Sequence, residues 1–346
     1  MRTRGGLLPI LLLTLSTPAL AIPGATDRTP AASLLVPFFE TGINSSVNPH
    51  DTLLSVNNSI GGGERIFHYH VWDIDGNPTT LRGNVILAAF DSWSVAMRDL
   101  LNAGPAAART ALTEGAFYRG FVTIDVVTAS TILNPRQVGF PFSNSNALEG
   151  YIYYTRLAQG SANGLAMVPI EAAPAATDEL ITDFYGAMDG REEIDATGRR
   201  CAHNLASGAA CGGIDPDLDR FHLRIFRSTP LSGQSRAIIF TWLRNLTGGP
   251  SPYCDNPANS CASSYSFRQF NEAGVTLQNT TIRLDHVVNI IPNSFLVGTE
   301  SGWISIVNVP DPIADMQVYA FSFNSANPPG NPDQTWDAIF EGYIDP

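Results

Sequence analysis

TLLSVNNSIGGGERIFHYHVWD, residues 52–73, carries the reading that decides the fold class. Its two ends, 52–57 and 65–73, are rich in β-branched and aromatic residues. Apolar side chains recur there at every second position, the period of a half-buried strand. Between them, Gly61, Gly62 and Gly63 offer the conformational freedom that a tight reversal needs. The stretch reads as two strands joined in a hairpin.

The same vocabulary recurs on both sides. Strand-like runs fall at 33–39, 85–89, 93–97, 121–127, 151–154 and 165–170, and then at 221–226, 237–243, 265–270, 281–284, 287–291, 303–307 and 317–323. Gly, Pro, Asn and Asp punctuate them. Helix is expected only at 105–112, opened by Pro105 and stopped by Gly115, and at 178–188, where Leu180, Ile181, Phe184, Tyr185 and Met188 share a face at helical spacing. The expected fold is mainly β, an antiparallel β-sandwich of Ig-like kind with two short satellite helices. A faint internal likeness matches a hairpin with Trp72, Asp75-Gly76, Leu81 and Gly150-Tyr151-Ile152 to one with Phe270, Ala273-Gly274, Leu277 and Gly302-Trp303-Ile304. It predicts two tandem sandwich domains, 22–174 and 218–346, joined by a helix and disulfide-loop connector at 175–217. One continuous sandwich with a long insertion is the alternative.

The first 21 residues read as a removable signal peptide of bacterial type. Arg2 and Arg4 precede an apolar run too short for a permanent span of ~20 residues, and Ala19-Leu20-Ala21 offers the small-x-small cleavage pattern. A mature chain starting at Ile22 is expected, secreted or periplasmic, with no lipid-bearing Cys at its start and no membrane span. The whole chain carries a net charge of −12, and loss of Arg2 and Arg4 takes the mature form to −14. Its Lys and Arg residues total 20, and every one is Arg. Such a balance argues against a nucleic-acid partner, which needs a basic patch. The lack of Lys also excludes Schiff-base chemistry and a phosphate-loop lysine. Cys201, Cys211, Cys254 and Cys261 are the 4 cysteines. In an exported chain they read as two disulfides, with Cys201–Cys211 and Cys254–Cys261 preferred because each would staple a Gly-, Asn- and Ser-rich loop.

His68-Tyr69-His70 is the leading chemical motif. On a strand the two imidazoles share a face about 6–7 Å apart, a spacing that can chelate a transition metal. Gly62 before the pair, Asp75 after it and Gly83 beyond resemble the first cupin motif, which implies a metal held by His68, His70 and Asp75. The resemblance is confined to residues 62–83. Asp stands for the family's Glu, one spacing differs, and His286-Val287-Val288-Asn289, the nearest source of a third His, lacks the family's lead-in. The competing expectation puts both imidazoles on the polar face of a strand whose other face, Phe67, Tyr69 and Val71, packs a core. Asp215, Asp217 and Asp219 alternate after Gly212-Gly213 and form a calcium candidate, set against a plain acidic turn. Gly233-Gln234-Ser235-Arg236-Ala237 approximates a nucleophile elbow, but a strand is expected after Ser235 where the elbow needs a helix. Trp72, Trp93, Trp242, Trp303 and Trp336 either fill cores or build a sugar-stacking platform. The N-terminal run 33–39, behind a Pro-, Thr- and Ala-rich arm, either opens its own domain or inserts into a neighbour's sheet.

These features leave two functional expectations. The preferred one is a secreted structural or adhesive β-sandwich protein without catalytic activity, whose partners are carbohydrate, cell-surface components or copies of itself. The alternative is a secreted, metal-dependent, cupin-like enzyme centred on His68 and His70. No cofactor is fixed by the sequence, with calcium and a transition metal as the two candidates.

Overall fold

The computed structural model describes residues 30–170 apart from 48, 136, 138, 144 and 157–160, together with 192–194, 200–202, 220–225, 234–245, 263–284, 286–298, 301–308, 314–326, 336–341 and 343–344. The N-terminal half contains β1 (Ser33–Gly42), β2 (His50–Asn58), β3 (Arg65–Trp72), β4 (Pro78–Leu87), β5 (Ser92–Ala96), α1 (Met97–Ala103), α2 (Ala106–Ala111), β6 (Thr113–Glu114), β7 (Phe117–Val127), β8 (Leu148–Arg156), β9 (Ser161–Ala166) and β10 (Val168–Ile170). The C-terminal half contains β11 (Glu192–Ile194), β12 (Arg200–Ala202), β13 (Arg220–Ile225), β14 (Gln234–Asn245), β15 (Ser263–Asn271), β16 (Thr276–Leu284), β17 (Val288–Ile291), β18 (Gly302–Asn308), β19 (Ala314–Ala326), β20 (Trp336–Glu341) and β21 (Tyr343–Ile344). The protein is mainly antiparallel β in several sheets, as the sequence leads one to expect.

Four of these sheets matter for function. Sheet A runs β5-β2-β8-β9 and sheet B runs β10-β1-β7-β3-β4, with β6 added to β7. Sheet C runs β17-β14-β19-β20 and sheet D runs β16-β15-β18-β13-β21. Leu54, Val56 and Ile152 of sheet A meet Leu34, Val36, Phe67, Val71 and Ile124 of sheet B in one core. Ala237, Ile239 and Ile291 of sheet C meet Leu223, Phe267, Ile304 and Ile306 of sheet D in another. A third cluster joins the outer face of sheet B, through Leu35, Phe38, Trp72 and Phe121, to Ile238, Val287 and Val288 at sheet C. The layers therefore follow one another as A, B, C and D.

The hairpin expected across Gly61–Gly63 does not form. β2 pairs with β5 and β8, whereas β3 pairs with β4 and β7, so the glycines carry the chain from one sheet to the other. Alternation fixes which face a strand buries but not which strand it pairs with, and here Leu54 and Phe67 reach the same core from opposite sides. Gly63 takes a φ of 106° at this crossing. The side-chain amide of buried Asn58 pins the crossing by reaching the carbonyls of Gly63, Leu87 and Ala88. The true hairpin is β3–β4, turned at Asp73–Asn77. β1 is paired on both edges, with β7 and β10 of its own chain, and buried throughout. It is thus no spare strand for a neighbour's sheet. Of the helices, α2 begins after Pro105 as expected, 178–188 lies outside the described residues, and α1 was not anticipated because seven residues without a side-chain cap leave little pattern.

The internal likeness is real at the level of topology. Reading β1, β7, β3, β4 and β10 as β13, β18, β15, β16 and β21 turns sheet B into sheet D. Reading β2, β5, β8 and β9 as β14, β17, β19 and β20 turns sheet A into sheet C. The two hairpin turns match bond for bond. Asp73 Oδ1 accepts the N–H groups of Asp75 and Asn77, and Asn271 Oδ1 accepts those of Ala273 and Val275. Gly76 and Gly274 have φ values of 84° and 75°. One correspondence must be corrected, because Gly302-Trp303-Ile304 opens β18 and so matches Gly120-Phe121-Val122 in β7, not Gly150. A Cβ on Gly120 would lie 2.0 Å from the Trp72 carbonyl oxygen, and one on Gly302 would lie 1.9 Å from that of Phe270. Backbone cannot yield as a flexible side chain can. Gly120→Ala and Gly302→Ala are each expected to destabilise by on the order of 3 kcal/mol, read as a lowered urea midpoint, while Gly63→Ala, which meets no neighbouring atom, suffers only from its positive φ.

Candidate functional site

His68 and His70 project from the outer face of sheet B, and neither is solvent-exposed (0% each). Their ring centroids are 6.1 Å apart with planes at 30°. The expectation of a polar, solvated strand face is therefore corrected. Phe67 and Val71 do pack the A–B core, but sheet B buries its other face as well. The edge of the His68 ring meets Phe140 at 5.3 Å, and His70 packs on Trp72 at 4.7 Å. Strand register sets Asp125 of β7 and Asn84 of β4 on either side of His68, and Thr123 and Arg82 on either side of His70. Ser33 Oγ donates to Asp125 Oδ1 at 2.6 Å, so a row Ser33, Asp125, His68, Asn84 crosses four strands.

Hydrogen bonding fixes the His68 tautomer. Asn84 Nδ2 donates to the Thr131 carbonyl at 2.8 Å, and its Oδ1 accepts the Thr131 N–H at 3.1 Å. That oxygen can therefore only accept from His68 Nδ1, 3.2 Å away, which must carry the proton. Nε2 keeps its lone pair. Among the described residues, neither it nor either ring nitrogen of His70 has a hydrogen-bond partner. Burial lowers the His68 pKa, with Asn84 opposing and Arg82 adding to the shift. Burial, then His68 and Arg82, push His70 down to about 3. Both shifts favour the neutral imidazole.

Asp75 is not gathered to this pair. It sits at the exposed β3–β4 turn, where Oδ1 contacts Nδ1 of His286 from the far half, while Val288 N–H donates to the Ile74 carbonyl at 2.9 Å. Among the described residues, no three His, Cys, Asp or Glu side chains form a group that could hold a metal ion. Asp215, Asp217, Asp219, Cys211, Cys254 and Cys261 lie outside the described residues, and Cys201 stands on β12 opposite Glu193. Ser235 is followed by the rest of β14, so no nucleophile elbow forms. Trp72 is fully buried, Trp93 packs against the A–B core, and Trp303 is exposed.

The strongest ionic constellation was not singled out in the sequence. Glu40, buried on β1, accepts from Arg236 NH1 and NH2 at 2.8 Å each and from Arg119 Nε at 2.9 Å, with His50 Nδ1 at 3.5 Å. Burial opposes its charge, but Arg236, the His50 contact and Arg119 outweigh burial and hold the carboxyl well below the usual carboxylate range. Arg236 comes from β14, so this clamp ties sheet B to sheet C. Nothing in local pattern announces a pair 196 positions apart.

No protein-family model matches the chain, and no curated protein does. Similar solved structures include a lectin from Pleurotus ostreatus in complex with GalNAc (8% identity, 92% of this chain and 85% of that one, TM-score 0.18). Others are a β-glucuronidase from Parabacteroides merdae (10% identity, 92% and 29%, TM-score 0.16) and procruciferin, an 11S globulin from Brassica napus (9% identity, 83% and 76%, TM-score 0.14). This chain spans under a third of the glucuronidase's length. TM-scores this low assign the chain to none of these folds.

Two outcomes follow. The histidines titrate near 6.5 when unfolded and lower when folded, to about 3 for His70. The unfolded state then binds more protons, so stability falls as pH drops from 6.5 toward 3, by up to ~1.4 kcal/mol per pH unit from His70, with His68 acting in the same direction. Urea midpoints should fall between pH 7 and 4.5, and His70→Leu should flatten that dependence. Glu40→Gln leaves two guanidinium groups facing a neutral amide and is expected to cost about 3 kcal/mol, in the same measurement at pH 7.

Proposed function

We propose that this is an exported, non-catalytic β-sandwich protein of a structural or adhesive kind, acting through the surfaces it presents. The observation that carries this reading is the placement of its chemical groups. Glu40 is 3% exposed and His68 and His70 are 0% exposed, a burial that supports a role in holding the fold rather than in meeting a substrate. What faces solvent is sheet surface: Leu53 and Tyr153 on sheet A, Trp303 on sheet D, with exposures of 37%, 40% and 41%. Exposed aromatic and aliphatic groups on flat sheets suit binding to other surfaces.

In this reading residues 1–21 are removed on export. Residues 22–174 and 218–346 are two sandwich domains, with 175–217 as connector. The four cysteines form two disulfides, and the 215–219 loop is a calcium candidate. The metal-dependent enzyme has less support, because Asp75 is held by His286 and both imidazoles are closed off. Expression in a bacterial host with fractionation and intact-mass analysis should find the protein outside the cytoplasm, starting at Ile22, with two disulfides. Elemental analysis of that protein separates the readings. Stoichiometric transition metal that disappears in His68→Ala and His70→Ala variants overturns the non-catalytic reading, and trace metal unaffected by them upholds it.

A further inference from the structure

We propose that the segment following β7 is an acid-released cover, closed over His68 and His70 at neutral pH and lifted off them in acid while the sheets stay paired. This goes beyond the reading of the protein as one that works through its surfaces, and does not depend on it.

The segment is described at 128–135, 137 and 139–143. It leaves sheet B after Val127 and returns at Phe142, which bridges Val127. Few ties hold it down. Ser143 N–H donates to the Val126 carbonyl at 3.0 Å, and Thr128 N–H closes the loop onto the Pro141 carbonyl at 2.9 Å. Asn84 of β4 grips Thr131 through its N–H and its carbonyl together. Phe140, itself buried, lies against the His68 ring, and Phe142 packs beside Phe140 with centroids 4.5 Å apart. Elsewhere the segment faces solvent, with Ile132 75% exposed. A stretch with few buried contacts and few bonds opens at lower free-energy cost than the laddered strands beneath it.

The trigger lies underneath. A second proton on His68 would sit on Nε2, and one on His70 would leave both ring nitrogens as donors. Among the described residues none of these atoms has an acceptor, and both rings are fully buried. A buried charge without a hydrogen-bond partner is costly. The surroundings give it little relief. Arg82 of β4 stands beside His70 and opposes charge on both rings, and a charged His68 opposes charge on His70. On β7, Asp125 stands beside His68 with Oδ1 engaged by Ser33 of β1, and Thr123 beside His70 accepts the Trp72 indole N–H. Asp125 is the carboxylate nearest in register, and with it in place burial still holds His68 below its ordinary range. The cover contributes Phe140 and Phe142, and the sheet C side contributes Ile238, Val287 and Val288, while His286 is engaged by Asp75 at the far end of β3.

Once the cover lifts, water reaches the rings and their ordinary affinity for protons returns, near pH 6.5. The closed form therefore loses ground as pH falls below 6.5. His70, held down to about 3 when closed, raises the open population on the order of a hundred-fold between pH 7.5 and pH 4.5. His68 acts in the same direction. Asn84 couples the rings to the cover, because its Oδ1 accepts both the His68 Nδ1 proton and the Thr131 N–H. A His68 ring that swings out to water removes one of the bonds that orient this anchor. Lifting presents Phe140 and Phe142, an apolar surface shown in acid and withheld at neutral pH.

The test is hydrogen exchange of the full chain, read by mass spectrometry at pH 7.5 and pH 4.5 as protection factors, which removes the intrinsic pH dependence. Protection over 128–143 is expected to fall about a hundred-fold in acid, while β2 and β8 change by no more than about three-fold. His70→Leu should cut that acid loss at least about ten-fold, because one of the two titrating rings is gone. His70→Gln, neutral at both pH values, gives the same comparison should the leucine variant fail to fold. Asn84→Ala, at an exposed position, should lower protection over 128–143 by about ten-fold at pH 7.5 and leave β2 and β8 unchanged. Equal protection over 128–143 at the two pH values overturns the proposal. So does a loss that runs in step with β2 and β8, which is global unfolding, or a His70 variant that loses as much as wild type. None of these outcomes changes the metal result on which the non-catalytic reading stands or falls.

Discussion

Sheet B buries both of its faces, and much else in the molecule follows from that. A sheet in a simple sandwich alternates buried and solvated positions, as β4 does at the edge. β1 is buried at every position and β7 from Gly120 onward, because sheet A covers one side and sheet C contributes to the other. Most polar side chains on the second face find partners in the protein, the rings of His68 (at Nε2) and His70 excepted among the described residues. Asp125 takes Ser33, Thr123 takes the Trp72 indole N–H, and Glu40 takes two arginines. Apolar packing supplies area at this junction, and the Glu40 clamp supplies a fixed orientation, since a bidentate guanidinium contact tolerates little rotation.

Much of this was legible in the sequence, and the misreadings share a cause. Strand positions and the Asp-Gly hairpin turn are local properties, encoded in alternation and in residues that accept unusual φ. Pairing is not local. The β2 and β3 segments look like hairpin partners because a glycine run separates them, yet their apolar residues serve opposite walls of one core. The unalternating run Leu34–Phe39 did hold a clue, since a strand apolar at successive positions is one covered on both sides. The Glu40–Arg236 contact had no comparable signal. The internal repeat was visible through its turn, but Gly302 was set against Gly150 because glycine alone says nothing about which carbonyl it must approach.

The two halves differ where their settings differ. Register equates His68 and His70 with Ser266 and Arg268, and Thr123 with Ser305. The buried copy carries neutral rings beneath Phe140, and the exposed copy carries a charged, solvated side chain at the matching position. One backbone plan thus holds two faces of different composition.

The place of β1 also bears on how the chain acquires its shape. Ser33 pairs with Asp125 on one side and Ile170 on the other, and Gly42 pairs with Phe117. The first strand therefore has no sheet to join until residues far downstream exist. Closing such long loops early is entropically unfavourable and slows folding. During synthesis the N-terminal segment must wait as extended chain, and the first sandwich condenses late, nearly all at once, rather than growing strand by strand from its start.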